Sequence, residues 1–285
     1  MYNLSSPKVL KEIINKYGFR FNKNLGQNFL IDNNVLDKII HAAEIDRDTG
    51  VIEIGPGIGV LTQQLAEKAR KVIAIELDSH LIPVLNETLS ANDNVRVINN
   101  DALRVDVQQI INDEFKDMKV KVVANLPYYI TTPIVMSLLE KKLKISSIVV
   151  MVQKEVAERM VARPGSKDYG ALSVAVQYYT NPHIITVVDP HCFIPQPKVS
   201  SVVIKLDILE NPSVVVEDEE KFFKVVKAAF GQRRKTLVNA LFNSGAFKMT
   251  KEEIKAVLKN IDVDENQRGE SLSILQFAKL SDAIF

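Results

Sequence analysis

The sequence predicts an α/β fold: a parallel sheet covered by helices on both faces, followed by a small all-helical region. Three observations carry this. From residue 51, short β-branched runs alternate with amphipathic segments of helix length. The runs are almost continuously apolar, the pattern of strands buried on both faces. Beyond about residue 207 the strand signals stop and only helical patterns follow.

The elements can be read in order. Ser6-Pro7 opens a helix, with serine at the N-cap and proline at the first helical position, and Gly18 ends it. Residues 19–30, FRFNKNLGQNFL, read as loop, so that residues 1–30 form an N-terminal extension. Asp32 is an N-cap for a helix over 33–43. Strands are expected at 51–54, 71–75, 95–98, 120–124 and 147–152, with helices at 60–69, 79–90, 106–113 and 132–142. Two further strands, 183–188 and 201–206, leave too little chain between them for a helical crossover and read as an antiparallel hairpin on the sheet edge. Helices are expected at 217–230, 232–242, 251–260 and 271–283. This places a domain boundary near 207, with residues 1–206 carrying the sheet and residues 207–285 a helical domain.

Composition excludes several classes. The 285 residues carry a net charge of only +1, so nucleic-acid binding would have to come from local patches. Cys192 is the single cysteine, and His41, His80, His183 and His191 are scattered, so no metal site is expected. The N-terminus has no apolar leader, and no apolar run approaches the ~20 residues of a membrane span. A cytoplasmic protein is the expectation.

The strand at 51–54 runs into Glu53-Ile54-Gly55-Pro56-Gly57-Ile58-Gly59, and a helix follows. Glycines there let the backbone turn tightly at the first crossover, where doubly wound sheets bind nucleotides. A dinucleotide fingerprint, G-x-G-x-x-G, fails because its sixth position is Val60. The pattern present, acid-x-Gly-x-Gly-x-Gly with Gly55 and Gly57 at its centre, resembles motif I of class I methyltransferases, which use S-adenosylmethionine. The next strand ends in Glu76, whose carboxylate can accept both ribose hydroxyls of an adenosine. The third ends at Asn100-Asp101, where an acid can accept from an adenine amine.

After the fourth strand comes Asn125-Leu126-Pro127-Tyr128. It resembles the (Asp/Asn/Ser)-Pro-Pro-aromatic motifs of adenine-N6 and related amino methyltransferases. Adenine's amine is a poor nucleophile because its lone pair is delocalised into the ring. Accepting hydrogen bonds from its N–H groups draws that lone pair out, and the Asn125 side-chain oxygen and a carbonyl near Leu126 are suitable acceptors. Pro127 stiffens the turn, and Tyr128 offers a face for base stacking. The target base must leave its stack to reach such a pocket. Phe193 is the candidate for a second aromatic holding it, the alternative being packing against the sheet edge.

Several segments together resemble the KsgA-type family of ribosomal RNA adenine dimethyltransferases. They are Asn24 to Leu30, the glycine loop, Asn125 to Tyr128, Gln153 to Ala157, Pro164 to Gly170, Phe193 to Lys198 and Phe230 to Leu237. The resemblance implies a class I, Rossmann-like, S-adenosylmethionine-dependent fold with a small all-α C-terminal domain. It implies that Asn28, Leu30, Gly55, Glu76, Asp101 and Asn125 contact the cofactor. It further implies dimethylation of two adjacent adenosines in the 3′-terminal hairpin of 16S ribosomal RNA, by a monomer acting on a partly assembled small subunit. Tyr129, Gln196 and Ser200-Ser201 depart from the commonest family pattern. Erm-type methylation of large-subunit RNA, and a chiefly non-catalytic role in small-subunit assembly, are the competing readings. A DNA adenine methyltransferase is more distant, since no domain for reading a duplex is evident.

Two basic stretches could meet phosphate. Residues 8–23 carry Lys8, Lys11, Lys16, Arg20 and Lys23 against Glu12 alone, and residues 221–248 carry seven Lys or Arg and no acid. Within the second, Arg233-Arg234-Lys235 are expected at a helix start, where the helix dipole disfavours cations, and so are the sharper RNA-contact candidates. Residues 1–30 are expected to order on binding cofactor or RNA.

Overall fold

The computed structural model of the chain describes residues 2–22 and 25–285. Lys23, named among the N-terminal bases, and Asn24, the first residue of the NLGQNFL motif, lie outside the described residues. Helix α1 (Pro7–Tyr17) ends on Gly18 at φ 58°, and the two-residue strand β1 (Phe29–Leu30) leads to α2 (Asn33–Ala43). Asp32 caps α2 by accepting from the Val35 N–H.

The strands and helices then alternate: β2 (Thr49–Ile54), α3 (Val60–Lys68), β3 (Lys71–Glu76), α4 (Ile82–Thr88), β4 (Val95–Asn99), α5 (Val107–Glu114), β5 (Lys119–Asn125), α6 (Thr131–Glu140) and β6 (Ser147–Gln153). Two helices follow, α7 (Lys154–Val161) and α8 (Ala171–Tyr179), and then β7 (Thr180–Val188), β8 (Phe193–Ile194) and β9 (Ser201–Ile208). Four helices complete the chain: α9 (Glu219–Phe230), α10 (Leu237–Asn243), α11 (Lys251–Asn260) and α12 (Ile274–Ile284).

Seven strands form one sheet in the order β4-β3-β2-β5-β6-β9-β7. The first five are parallel to their neighbours, and β9 inserts antiparallel beside β6, with Met151 opposite Val203. Every residue of β2 is buried, as are Ile73, Val122, Val123, Val149 and Val150 on its neighbours. That burial explains the unbroken apolar runs. Because β2 pairs with β3 on one side and β5 on the other, the chain reverses its direction of travel across the sheet there. The carboxyl ends of β2, β3 and β5 therefore open on one shared edge, where such sheets bind ligands.

The short strand β1 pairs antiparallel with β8, Leu30 opposite Phe193, so the end of the segment read as loop is a two-stranded ribbon. One charged group supports the core. Lys121, 5% exposed on β5, donates to the carbonyls of Ala43 (2.6 Å) and Glu44 (2.9 Å) at the open C-terminus of α2.

The chain divides into two compact units, Met1–Ala157 with His183–Ile208, and Glu158–Pro182 with Leu209–Phe285. Residues 158–182, read from the sequence as part of the sheet domain, fold into the second unit. The cause is α8, in which seven of nine residues are buried and which stacks Tyr178 on Phe222 and Tyr179 on Phe223 of α9. The helix expected over 232–242 begins only at Leu237. Lys235 instead closes a turn on the Gln232 carbonyl at 2.9 Å, and the Leu237 N–H is taken by the carbonyl of Gln267.

Candidate active site

A cleft opens at the shared strand edge of the first unit. The turn after β2 bends through Gly55 (φ 71°), Gly57 (φ 60°) and Gly59 (φ 93°), conformations that L side chains avoid. At Gly57 the need is also one of space, since a Cβ there would lie 2.9 Å from the Phe29 ring. Glu76, at the end of β3, accepts from the Gly57 N–H at 3.2 Å and from the Asp78 N–H at 2.8 Å. Its carboxylate is thereby fixed against the glycine turn. Asp101 follows β4 and accepts from the Leu103 N–H at 2.9 Å.

Asn125 ends β5. Its Nδ2 donates to the Asn28 carbonyl at 3.1 Å, which sets the orientation of the amide. Its Oδ1 accepts from no described residue and lines the cleft, free for a ligand's N–H. The Leu126–Thr131 turn is closed on the carbonyl of Pro127, which accepts from the Ile130 N–H (3.2 Å) and the Thr131 hydroxyl (3.1 Å). Half-buried Tyr128 is held by a 2.8 Å hydrogen bond between its hydroxyl and Ser201 Oγ on β9.

The cleft is lined by three carboxylates, Glu53, Glu76 and Asp101, and by no Lys, Arg or His among the described residues. Burial pushes the Glu53 carboxyl up to about 8 and that of Glu76 up to about 7. Glu53 Oε2 is buried without a hydrogen-bond partner, an atom that a polar or cationic ligand group could satisfy. Such a lining suits a cation, and it fits S-adenosylmethionine, which carries a sulfonium and an ammonium.

The structure thus brings Asn28, Leu30, Gly55, Gly57, Glu76, Asp101, Asn125, Leu126, Pro127, Tyr128 and Phe193 to one cleft. Phe193 lies there at 1% exposure and packs in the core through β8, so it forms part of the wall. Sequence reasoning left Gln27, Leu77, Ala102 and Tyr129 unassigned, and all four line the same cleft. Gln27 donates to Asp78 at 2.8 Å across 51 positions, a pairing with no sequence signal. Leu77 carried one, since an apolar residue directly follows the strand-ending acid; it is left 46% exposed.

The basic residues depart from expectation. Arg233, Arg234 and Lys235 lie in the turn after α9, beyond its C-terminus, where the helix dipole favours cations. They therefore do not occupy a helix start, the next helix beginning at Leu237. All three are exposed, and Arg233 also donates to the carbonyls of Lys167 (2.6 Å) and Tyr169 (3.1 Å). Lys16 is similarly committed, to Glu87 at 2.6 Å, together with the hydroxyls of Tyr2 and Tyr17. Among the described residues, no group of His, Cys, Asp and Glu could hold a metal and no helix is long and apolar enough to cross a membrane.

A parallel sheet with an antiparallel strand beside its last parallel member, a glycine turn after its first strand, and an Asn-Leu-Pro-Tyr turn after its fourth define a class I methyltransferase with a Rossmann-like fold. The chain belongs to the ribosomal RNA adenine dimethylase family, whose profile matches residues 18–281. It is 57% identical to the ribosomal RNA small subunit methyltransferase A of Alkaliphilus metalliredigens over 99% of this chain and 98% of that protein. It is 55% identical to the protein of the same name from Bacillus pumilus, over 99% and 97%. Among solved structures it is similar to a dimethyladenosine transferase from Plasmodium falciparum, with 30% identity, TM-score 0.74, and 88% and 95% of the two chains covered. It is also similar to the 23S rRNA methyltransferase ErmE, with 28% identity, TM-score 0.68, and 90% and 99% covered.

Proposed function

We propose that the chain uses S-adenosylmethionine to dimethylate the N6 amines of two adjacent adenosines in the 3′-terminal hairpin of small-subunit 16S ribosomal RNA, during ribosome biogenesis. The observation that carries the chemistry is Asn125, whose amide nitrogen is spent on the Asn28 carbonyl while its oxygen faces the cleft. Full-length similarity to relatives named for the small subunit carries the choice of RNA over the large-subunit alternative.

When bound, the cofactor supplies an electrophilic methyl group on a sulfonium. Glu76 accepts from its ribose hydroxyls and Asp101 from its adenine amine, while Asn28, Leu30, Gly55 and Gly57 form the surrounding wall. Asn125 Oδ1 and the Leu126 carbonyl accept from the target amine's two N–H groups, restoring lone-pair density on nitrogen. Tyr128, fixed by Ser201, offers its face to the extruded base, and Phe193 backs that pocket. Asparagine is neutral, so it orients and polarises the amine and the departing proton passes to water. Positioning does most of the work. The helical region, with Arg234 and Lys235 exposed, contacts RNA phosphate, and the chain acts as a cytoplasmic monomer on the partly assembled subunit.

The test is methyl transfer from labelled S-adenosylmethionine to unmodified small subunits, with large-subunit RNA and DNA as controls. Dimethyladenosine at two adjacent sites of the small-subunit hairpin is expected. Label confined to large-subunit RNA would move the chain to the Erm-type reading. Tight subunit binding without transfer would make assembly its primary role.

A further inference from the structure

Two adjacent tyrosines follow Pro127, and the structure gives only the first a partner. Tyr128 is bonded to Ser201. Tyr129 is 55% exposed, its hydroxyl has no partner among the described residues, and its ring nevertheless lines the cleft. An exposed aromatic ring that also lines a cleft offers a flat apolar face on which a ligand can lie.

What it faces is specific. The ring neighbours Gly26, where a Cβ would meet Tyr129 Cδ1 at 3.6 Å and Pro127 Cβ at 3.5 Å, ordinary contact distances. Gly26 has φ 58°, a turn that L side chains rarely adopt, and it carries the loop past the ring. That loop is tied down on either side of the cleft, by Gln27 to Asp78 at 2.8 Å and by Asn125 to the Asn28 carbonyl at 3.1 Å. Besides partial burial, the charges acting on the Tyr129 phenol are those of Asp101 and Glu76, and all three raise its pKa. Tyr129 lines the same cleft as Glu76, Asp101 and Gly26, on its exposed side, where its ring can close over a ligand.

We propose that the Tyr129 ring covers the adenosine half of the cofactor, making it a binding residue that closes the cleft mouth against Gly26. This rests on the reading of the cleft as an S-adenosylmethionine site. Stacking on a base or ribose uses the ring and not the hydroxyl, and a tyrosine loses little rotamer freedom in providing it. The adenosine half is common to S-adenosylmethionine and S-adenosylhomocysteine, whereas the sulfonium charge is not. Loss of the ring should therefore weaken both ligands to the same degree.

Calorimetric titration of both ligands into the wild type, Tyr129→Phe, Tyr129→Ala and Tyr129→Asn tests this. Expected are affinities about tenfold weaker for both ligands in the Ala and Asn variants and within about twofold of wild type for Phe, a tenfold change being about 1.4 kcal/mol. Melting of the unliganded Ala and Asn variants near the wild-type temperature is expected for so exposed a position. If Ala were to misfold, Asn and Phe still carry the comparison. Equal binding by wild type, Ala and Asn would overturn the proposal. So would a loss confined to S-adenosylmethionine, which would put the ring over the sulfonium, or a Phe variant as weak as Ala. Failure of the wild type to bind either ligand would instead overturn the reading of the cleft itself.

Discussion

Glu53 lines the cleft at 1% exposure, and its burial, opposed only by the neighbouring Thr62 hydroxyl and reinforced by like-charge repulsion from Glu76, disfavours the ionised carboxylate. Replacing it with glutamine should stabilise the unliganded protein in a pH-dependent way. Burial raises its pKa from 4.5 to about 8 in the folded state. Below the lower value the carboxyl is protonated whether folded or unfolded, and Glu53 carries no ionisation penalty. As pH rises from 4.5 toward 8 the unfolded chain ionises first, so stability falls, and above 8 the loss is complete. A shift of this size corresponds to about 4–5 kcal/mol as an upper bound, at about 1.4 kcal/mol per pH unit. Local relaxation of the cleft reduces it to roughly 2–4 kcal/mol.

Glutamine stays neutral and removes this term. Thermal melting of the wild type and Glu53→Gln from pH 5 to 9, without ligand, should therefore diverge. We expect near-coincidence at pH 5 and a variant more stable by roughly 5–15 °C at pH 8.5, at about 2–4 °C per kcal/mol for a protein of this size. The wild type should still show the weaker slope contributed by Glu76, whose pKa is raised only to about 7, and the variant should retain it. Parallel melting curves across the whole range would refute the argument, because they would mean that Glu53 is solvated or ionised in the folded state.

The remaining expectations address the chemistry and the RNA. Asn125→Ala removes the amine acceptor and the tether to Asn28, and single-turnover methyl transfer should fall by about 10²–10³, as for loss of one preorganised polar group, while binding to small subunits survives. Ser201→Ala frees the Tyr128 hydroxyl without touching the cofactor wall, so transfer should fall several-fold with S-adenosylhomocysteine affinity unchanged by calorimetry. Arg234 and Lys235 replaced together by alanine should weaken subunit binding and lower its salt dependence in filter binding by roughly one to two phosphate contacts. Arg233→Ala should instead lower the melting temperature, through loss of its bonds to the Lys167 and Tyr169 carbonyls.

How much of this was legible in the sequence depended on how local each cause is. Glu76, Asp101 and Asn125 could be placed because each ends or directly follows a parallel strand, and parallel strands in one sheet present their carboxyl ends at the same edge. Their common location then follows from alternation, whereas their roles come from carboxylate chemistry and, for Asn125, from the resemblance of Asn125 to Tyr128 to amino-methyltransferase motifs. Helix α8 escaped because it is apolar on almost every side, so it shows neither the stripe of an amphipathic helix nor the alternation of a half-buried strand. That omission also misplaced residues 158–182, since the partner that defines α8's unit, α9, lies about 40 positions further on. Arg233 is a different case: it is exposed, as three bases in a row suggest, yet its guanidinium also binds the carbonyls of a distant loop, a contact that charge alone does not announce. Gln27 with Asp78, Gly26 with Tyr129 and Tyr128 with Ser201 belong to this second kind. These are the contacts that fix the positions of groups already assigned to the chemistry. A sequence can therefore name the atoms that meet the ligand while leaving open what holds them in place, because the first is set at strand ends and the second by packing between segments far apart in the chain.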